Sequence, residues 1–421
     1  MSQLLQRRRD ATTEPGTAFS GPPPRRRGAA GARLCSAAGC LFALLLLSGC
    51  VTQTTAVRLT GNIMVDGPRM ITNGPPRDRV LWQYRTAAAA MDRGQFSYAR
   101  QLLDDALLTT GGISSDKGAK LARSYFHPES SKTFIGEPYE RVMAYYYRGI
   151  LYWMDGEPDN ARACFRSAQI QDADAENHQY AADYVVLDYL DGLVTAKLGG
   201  DGSDAFKRAD EETHLAKPPP PDPKANVLFF VEAGPGPYKY ASGEYREELH
   251  FGVPSSPVHS ARIEVDGRTL DAPLTDDLYF QATTRGGRVM DHVLANKAVF
   301  KTATDVAGNV GIIGGVIAAS QRDRTSQEVG IGLIAAGVIS KIVSATTTPA
   351  ADIRAWDNLP RYLGFASVTL PAGLHAAKVE FFDQYGNLLP NLTKTITLNV
   401  PSDGKDTVVF VGDNSSTPQT V

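Results

Sequence analysis

The side chains able to do covalent, acid–base or metal chemistry are few and scattered in this 421-residue chain. Seven histidines are spread along it, at His127, His178, His214, His250, His259, His292 and His375. His250 and His259 are the closest pair, and no cysteine or further ligand cluster joins them as a metal site requires. The acid pairs Asp104-Asp105 and Asp276-Asp277 read as solvated faces and not as catalytic dyads. Gly234-Pro235-Gly236-Pro237 is glycine-rich, but its prolines lack the N–H donors of a phosphate cradle. Gly308-x-x-Gly311-x-x-Gly314 has no Lys-Ser/Thr after it, which excludes a P-loop. No Gly-x-Ser-x-Gly elbow occurs. The expectation is a protein that is not an enzyme and carries no cofactor or metal. A net charge of −3 gives no support for nucleic-acid binding.

The cysteines carry a clearer message. Residues 1–40 hold seven arginines, Arg7, Arg8, Arg9, Arg25, Arg26, Arg27 and Arg33, against Asp10 and Glu14. An apolar run follows, Leu41-Phe42-Ala43-Leu44-Leu45-Leu46-Leu47, then Ser48-Gly49-Cys50. A basic region, a short apolar core and small residues make a secretion signal. The apolar part falls far below the ~20 residues that span a bilayer. Leu47-Ser48-Gly49-Cys50 resembles a bacterial lipobox. That resemblance implies cleavage before Cys50 and acylation of its thiol and new amine, palmitate included. The lipid bilayer is then a partner through Cys50. Each buried methylene contributes ~0.8 kcal/mol, so several acyl chains anchor a protein almost permanently. Val51 and not Asp follows the cysteine, which in this pattern favours the outer membrane, facing the periplasm. Arg25-Arg26-Arg27 also permits a twin-arginine reading that its neighbours fit poorly, and a start site placed too far upstream is an equal reading of the long leader. Of four cysteines, Cys35 and Cys40 leave with the leader and Cys50 is lipidated. Cys164 remains alone, so no internal disulfide forms.

The elements behind these residues come in two kinds. Hydrophobic residues make up 43% and charged residues 21%, enough for real cores. Residues 50–78 are polar and Gly/Pro-punctuated and read as a flexible tether. Helical periodicity dominates from 79 to 216. Pro218-Pro219-Pro220-Pro221-Asp222-Pro223 cannot be helix, and 217–225 is taken as a linker between two domains. From 226 to 411 the period becomes that of strands, as in Val227-Leu228-Phe229-Phe230-Val231, Ala261-Arg262-Ile263-Glu264-Val265 and Val408-Val409-Phe410-Val411. Asp266-Gly267 marks a hairpin turn. Leu370-Pro371-Ala372-Gly373-Leu374-His375 reads as a second hairpin, between 365–368 and 377–380. It looks like the turn of small β-sandwich modules, with His375 structural. Residues 412–421 are expected to be disordered.

Within the helical part the offsets repeat. Gly94-Gln95-Phe96 leads to Ala99, Leu103 and Ala106; Gly156-Glu157-Pro158 leads to Ala161, Phe165 and Ala168. A turn glycine is followed by three residues on one helix face. A degraded third copy runs from Tyr184 through Gly192 to Ala205 and Ala209. The pattern is similar to the tetratricopeptide repeat, with an unrelated helical bundle as the other reading. The repeat resemblance implies a concave groove walled by Tyr84 and Met91, then Tyr146, Ile150 and Trp153, that holds a partner peptide. The bland alternative is that these rings pack on the linker, the tether or a neighbouring helix.

The expected fold class is α+β: a tetratricopeptide-like helical hairpin domain, then a β-sandwich-like domain with a helical insert at 285–346. Within that insert, residues 308–345 form a Gly-rich apolar hairpin, with Gly311, Gly315 and Ala319, then Gly332, Ala336 and Ser340, at four-residue spacing. Such spacing permits close helix contact. It reads as packed on the protein, as touching a membrane or oligomerising, or as a transmembrane pair.

Glu137-Pro138-Tyr139-Glu140-Arg141 starts a helix, and the segment Asp352 to Pro360 reads as a domain contact with Trp356 buried. With the lipobox and the repeats, these segments resemble a family of bacterial tetratricopeptide-repeat-like lipoproteins. The resemblance spans most of the chain after Cys50. It implies an envelope lipoprotein that docks or scaffolds another envelope protein or peptide. The alternative is an oligomerising, membrane-contacting assembly component that uses 308–345.

Overall fold

A computed structural model of the protein describes residues 58–111, 132–173, 183–244, 246–284 and 351–421. The leader, Cys50 and the insert 285–346 with its 308–345 hairpin lie outside the described residues. The described part is mixed helix and sheet, α+β, and Ala56–Val421 forms one compact unit.

The helices come first. α1 (Ile63–Asn73) starts where Asn62 Oδ1 accepts the Met64 N–H at 3.0 Å. The tether expected over 50–78 is therefore corrected: from Ile63 on it is helix and a 3-10 turn (Pro76–Asp78), because capping groups meet an amphipathic face. Three pairs follow: α2 (Arg79–Met91) with α3 (Phe96–Gly111), α4 (Pro138–Met154) with α5 (Pro158–Asp172), and α6 (Val185–Lys197) with α7 (Ser203–Glu211). The turn glycines Gly94 and Gly156 stand at φ +68° and +79°, conformations a side chain disfavours. Ala99, Leu103, Ala106, Ala161, Phe165 and Ala168 are all fully buried, as their spacing predicts. α4 begins on Pro138 with a capping box, in which the Glu137 N–H donates to Glu140 at 2.6 Å.

Eleven strands follow among the described residues. β1 (Val227–Pro235) lies between β10 (Thr407–Gly412), parallel to it, and β7 (Pro360–Val368), antiparallel; β6 (Leu274–Asp277) flanks β7. A second sheet runs β11 (Gln419–Thr420), β9 (Lys394–Val400), β8 (Gly373–Phe382), β4 (Ser260–Val265), β5 (Arg268–Ala272). β2 (Tyr238–Ser242) and β3 (Glu248–Gly252) form a separate two-stranded ribbon. A short helix, α8 (Leu278–Thr284), follows β6. The Asp266-Gly267 turn is as expected, with Val265 paired to Arg268 and both turn residues at positive φ.

β1 explains the architecture. Its residues alternate between two cores. Leu228 and Phe230 join Leu363, Phe365, Val408 and Phe410 against the helices. Val227, Phe229 and Val231 join Ile263, Val379, Phe381 and Leu398 of the second sheet. The first sheet is thus a middle layer covered on both faces, which is why its strands are continuous apolar runs and not alternating ones. Burying a ring such as Phe230 contributes ~1.5–3 kcal/mol. The Pro-rich segment 217–225, read as a domain linker, instead joins two layers that share a core.

Two more expectations change. β7 and β8 belong to different sheets, so Leu370–His375 is a crossover between layers and not a hairpin turn. His375 is structural there: Nδ1 meets Asp266 Oδ2 at 2.6 Å and Nε2 meets the Pro371 carbonyl at 2.8 Å. The tail expected to be disordered over 412–421 is ordered. β11 pairs in parallel with β9, Val421 N–H donates to Thr397 O, and Ser416 N–H donates to the Asp92 carbonyl at 2.7 Å. Its polar composition hid backbone groups that complete a sheet edge.

Candidate functional site

The five residues placed on a partner groove are all in the core. Tyr84 and Met91 on α2, and Tyr146, Ile150 and Trp153 on α4, are at most 1% exposed. Tyr146 and Trp153 meet the Phe230 ring edge-on at 6.3 and 6.0 Å. Trp153 Nε1 donates to Asp406 at 2.8 Å, and Tyr147 donates to Glu232 at 3.2 Å. Tyr84 stacks on Trp356 at 4.5 Å, and the Trp356 N–H donates to Glu140 at 2.6 Å. The open groove is therefore corrected. Its space is filled by the chain's own middle sheet and by residues 351–359, because the rows Leu228/Phe230 and Val408/Phe410 match it. The contact expected for Asp352 to Pro360 is present, with Trp356 fully buried.

The helix-side core ends in buried carboxyl groups. Burial pushes Glu232 well above the usual carboxylate range, with Asp92 and Asp413 adding to the effect. Burial likewise lifts Asp92 to about 6. Asp276, read from sequence as part of a solvated face, is buried. Its two carboxylate oxygens accept the Val185 and Val186 N–H groups at 2.9 and 3.0 Å, and the Thr275 hydroxyl donates to it. Asp276 thus caps α6 from a neighbouring strand, and burial raises it to about 7. Beside it lies a cleft of about 200 Å³ lined by Asp183, Asp277, His214, Phe280 and Gln281 among others. Asp277 is held by Arg361 at 3.0 Å, and His214 lies against Phe280. These bonds serve the fold.

The ribbon β2–β3 behaves differently. Its inward side is anchored: Lys239 Nζ donates to Glu137 and Glu140, each at 3.1 Å, and to the Arg354 carbonyl, while Phe251 meets Tyr139 edge-on at 6.0 Å. Its outward side presents Tyr238, Tyr240, Ser242, Glu248, His250 and Gly252. Tyr238 and Tyr240 are 47% and 46% exposed. Tyr240 stacks on His250 at 5.2 Å and neighbours Tyr238 at 6.2 Å. Tyr238 lies over Gly252, where an added Cβ would come within 2.5 Å of the ring.

Ser242, His250 and Glu248 invite comparison with a nucleophile relay, and the geometry refuses it. Ser242 Oγ is 2.7 Å from His250 Nε2 and 2.9 Å from Glu248 Oε2, and Glu248 also approaches Nε2, at 3.5 Å. A relay needs the acid on the other ring nitrogen. With the proton on Nε2, His250 donates to Ser242, which donates to Glu248. The ribbon face escaped the sequence reading; the alternation Tyr238-x-Tyr240-x-Ser242 is the signal that could have found it.

Cys164 is a free thiol, pushed up to about 11 by burial. Among the described residues no group of His, Cys, Asp or Glu could hold a metal ion, and no helix is long and apolar enough to cross a membrane. Comparison of the chain with protein-family models, curated proteins and solved structures yields no match.

Proposed function

We propose that the chain is a lipid-anchored envelope lipoprotein whose folded body works as a non-catalytic adaptor or scaffold for another envelope protein. The single observation that carries this reading is Leu47-Ser48-Gly49-Cys50 placed directly after a basic leader and a short apolar run. The body fits tetratricopeptide-like helical hairpins laid on a β-sandwich-like pair of sheets: turn glycines at positive φ, small residues at the helix contacts, and a shared core between the two sheets support it. Because its concave side holds its own sheet, docking falls on the outer surface.

Metabolic labelling with an alkyne fatty acid tests the anchor. The wild-type chain takes the label and fractionates with membranes. Cys50→Ser loses both. A Cys50→Ser chain that still fractionates with membranes would refute the anchor. Crosslinking in native membranes tests the adaptor: a protein adduct is expected, and a chain that yields none overturns that part.

A further inference from the structure

We propose that the outward face of the ribbon β2–β3 is a saccharide-binding platform for an extended, β-linked glycan strand. The face carries two ring-bearing positions on one strand, Tyr238 and Tyr240, and a third ring opposite, His250. The aromatic ring faces are electron-rich. Tyr240 has one face against His250, so its other face and the Tyr238 ring are what meet the axial C–H faces of pyranoses whose substituents are all equatorial. A β-linked strand of such units runs straight and can follow a row of rings; an α-linked chain coils away from it.

The polar groups stand at one end of that row. Ser242 is engaged by both neighbours, which orients Glu248 and His250. Glu248 Oε1 and His250 Nδ1 have no hydrogen-bond partner among the described residues and are open to sugar hydroxyls. The face itself has no aliphatic side chain, as a protein contact would favour. Its size argues the same way. Two five-residue strands cover roughly 17 by 10 Å, some ~170 Å², against ~800 Å² per partner in a stable protein interface. That area holds a few sugar units. The inward side is fixed by the Lys239 ion pairs and Phe251, so the platform is rigid before a ligand arrives.

The test uses the full chain in a zwitterionic detergent without sugar headgroups. Calorimetry with cellotetraose, chitotetraose and maltotetraose reads the preference. Both β-linked tetramers are expected to bind, with maltotetraose at least ~10-fold weaker. Y238A/Y240A is expected to weaken the β-linked binding at least ~10-fold with an unchanged melting temperature, since both rings are half exposed. Absence of β-linked binding, equal binding of all three sugars, or undiminished binding by the double variant overturns the proposal. A protein crosslink lost in the double variant, without saccharide binding, assigns the face to a protein and also overturns it. If the variant fails to melt cooperatively, iodination of the wild-type chain decides: protection of Tyr238 and Tyr240 by chitotetraose supports the platform, and lack of protection overturns it.

Discussion

Two sets of tyrosines in this molecule have opposite fates. On α4, Tyr146 and Tyr147 are buried beside Trp153, edge-on to Phe230 and Phe410 of the middle sheet. On the ribbon, Tyr238 and Tyr240 stand half exposed, with no layer across from them among the described residues. Residue type does not separate the two sets. The helical set repeats at the spacing that makes one stripe, and that stripe meets a complementary strand. The ribbon set repeats at two, and only its alternate residues, Lys239 and Phe251 among them, reach the body. An aromatic stripe thus reports an apolar face, and the fold alone decides whether a partner or the chain itself covers it.

Three measurements can break or sharpen this contrast. The largest effect is expected from Trp153→Ala, which empties a fully buried site against Phe165 and Phe230. A loss of ~3–5 kcal/mol in urea unfolding follows. A loss below ~1 kcal/mol would mean that the stripe is not the seam between helices and sheet. Next comes Gly149→Ala. An added Cβ would lie 2.5 Å from Phe165 Cε1, so overpacking costs ~1–3 kcal/mol, and Phe165→Leu in the same chain should restore part of it. A neutral Gly149→Ala would show that α4 and α5 are less closely apposed.

The smallest effect is the dependence on pH. Burial raises Asp92 to about 6 and Glu232 well above its usual range, so the folded chain holds protons that the unfolded chain releases. Their stabilising contribution is complete below the unfolded value near ~4 and is lost as pH rises through about 6 and beyond. Glu232→Gln removes the Glu232 share of this loss. The fall in stability between about pH 5 and about pH 8 should become shallower, as read from denaturant midpoints at each pH. An unchanged slope would place the titration elsewhere.

The sequence makes local events legible and long-range ones much less so. Gly94 and Gly156 announce the helical turns, Asp266-Gly267 its hairpin, and Glu137-Pro138 the start of α4, because each depends on a few adjacent residues. The burial of Tyr84, Met91, Tyr146, Ile150 and Trp153 is different. Spacing marks their face as apolar but cannot name β1 and β10 as its cover. The crossover at Leu370–His375 has the composition of a hairpin turn, and only strand pairing shows that it changes sheets. Asp276 looks solvated beside Asp277 until the α6 N-terminus is brought onto it. The ordered tail is likewise invisible in a polar composition, since its hold on β9 is made by backbone groups.

The parallel pairing of β1 with β10 has a consequence for biogenesis. The two strands start at Val227 and Thr407, and β10 forms one flank of the sheet that roofs the helices. While a ribosome is still making the stretch between them, the rings of α4 lack part of their lasting shelter. Contacts so distant along the chain form slowly. The nascent polypeptide therefore lacks its complete helix-side core until late in synthesis.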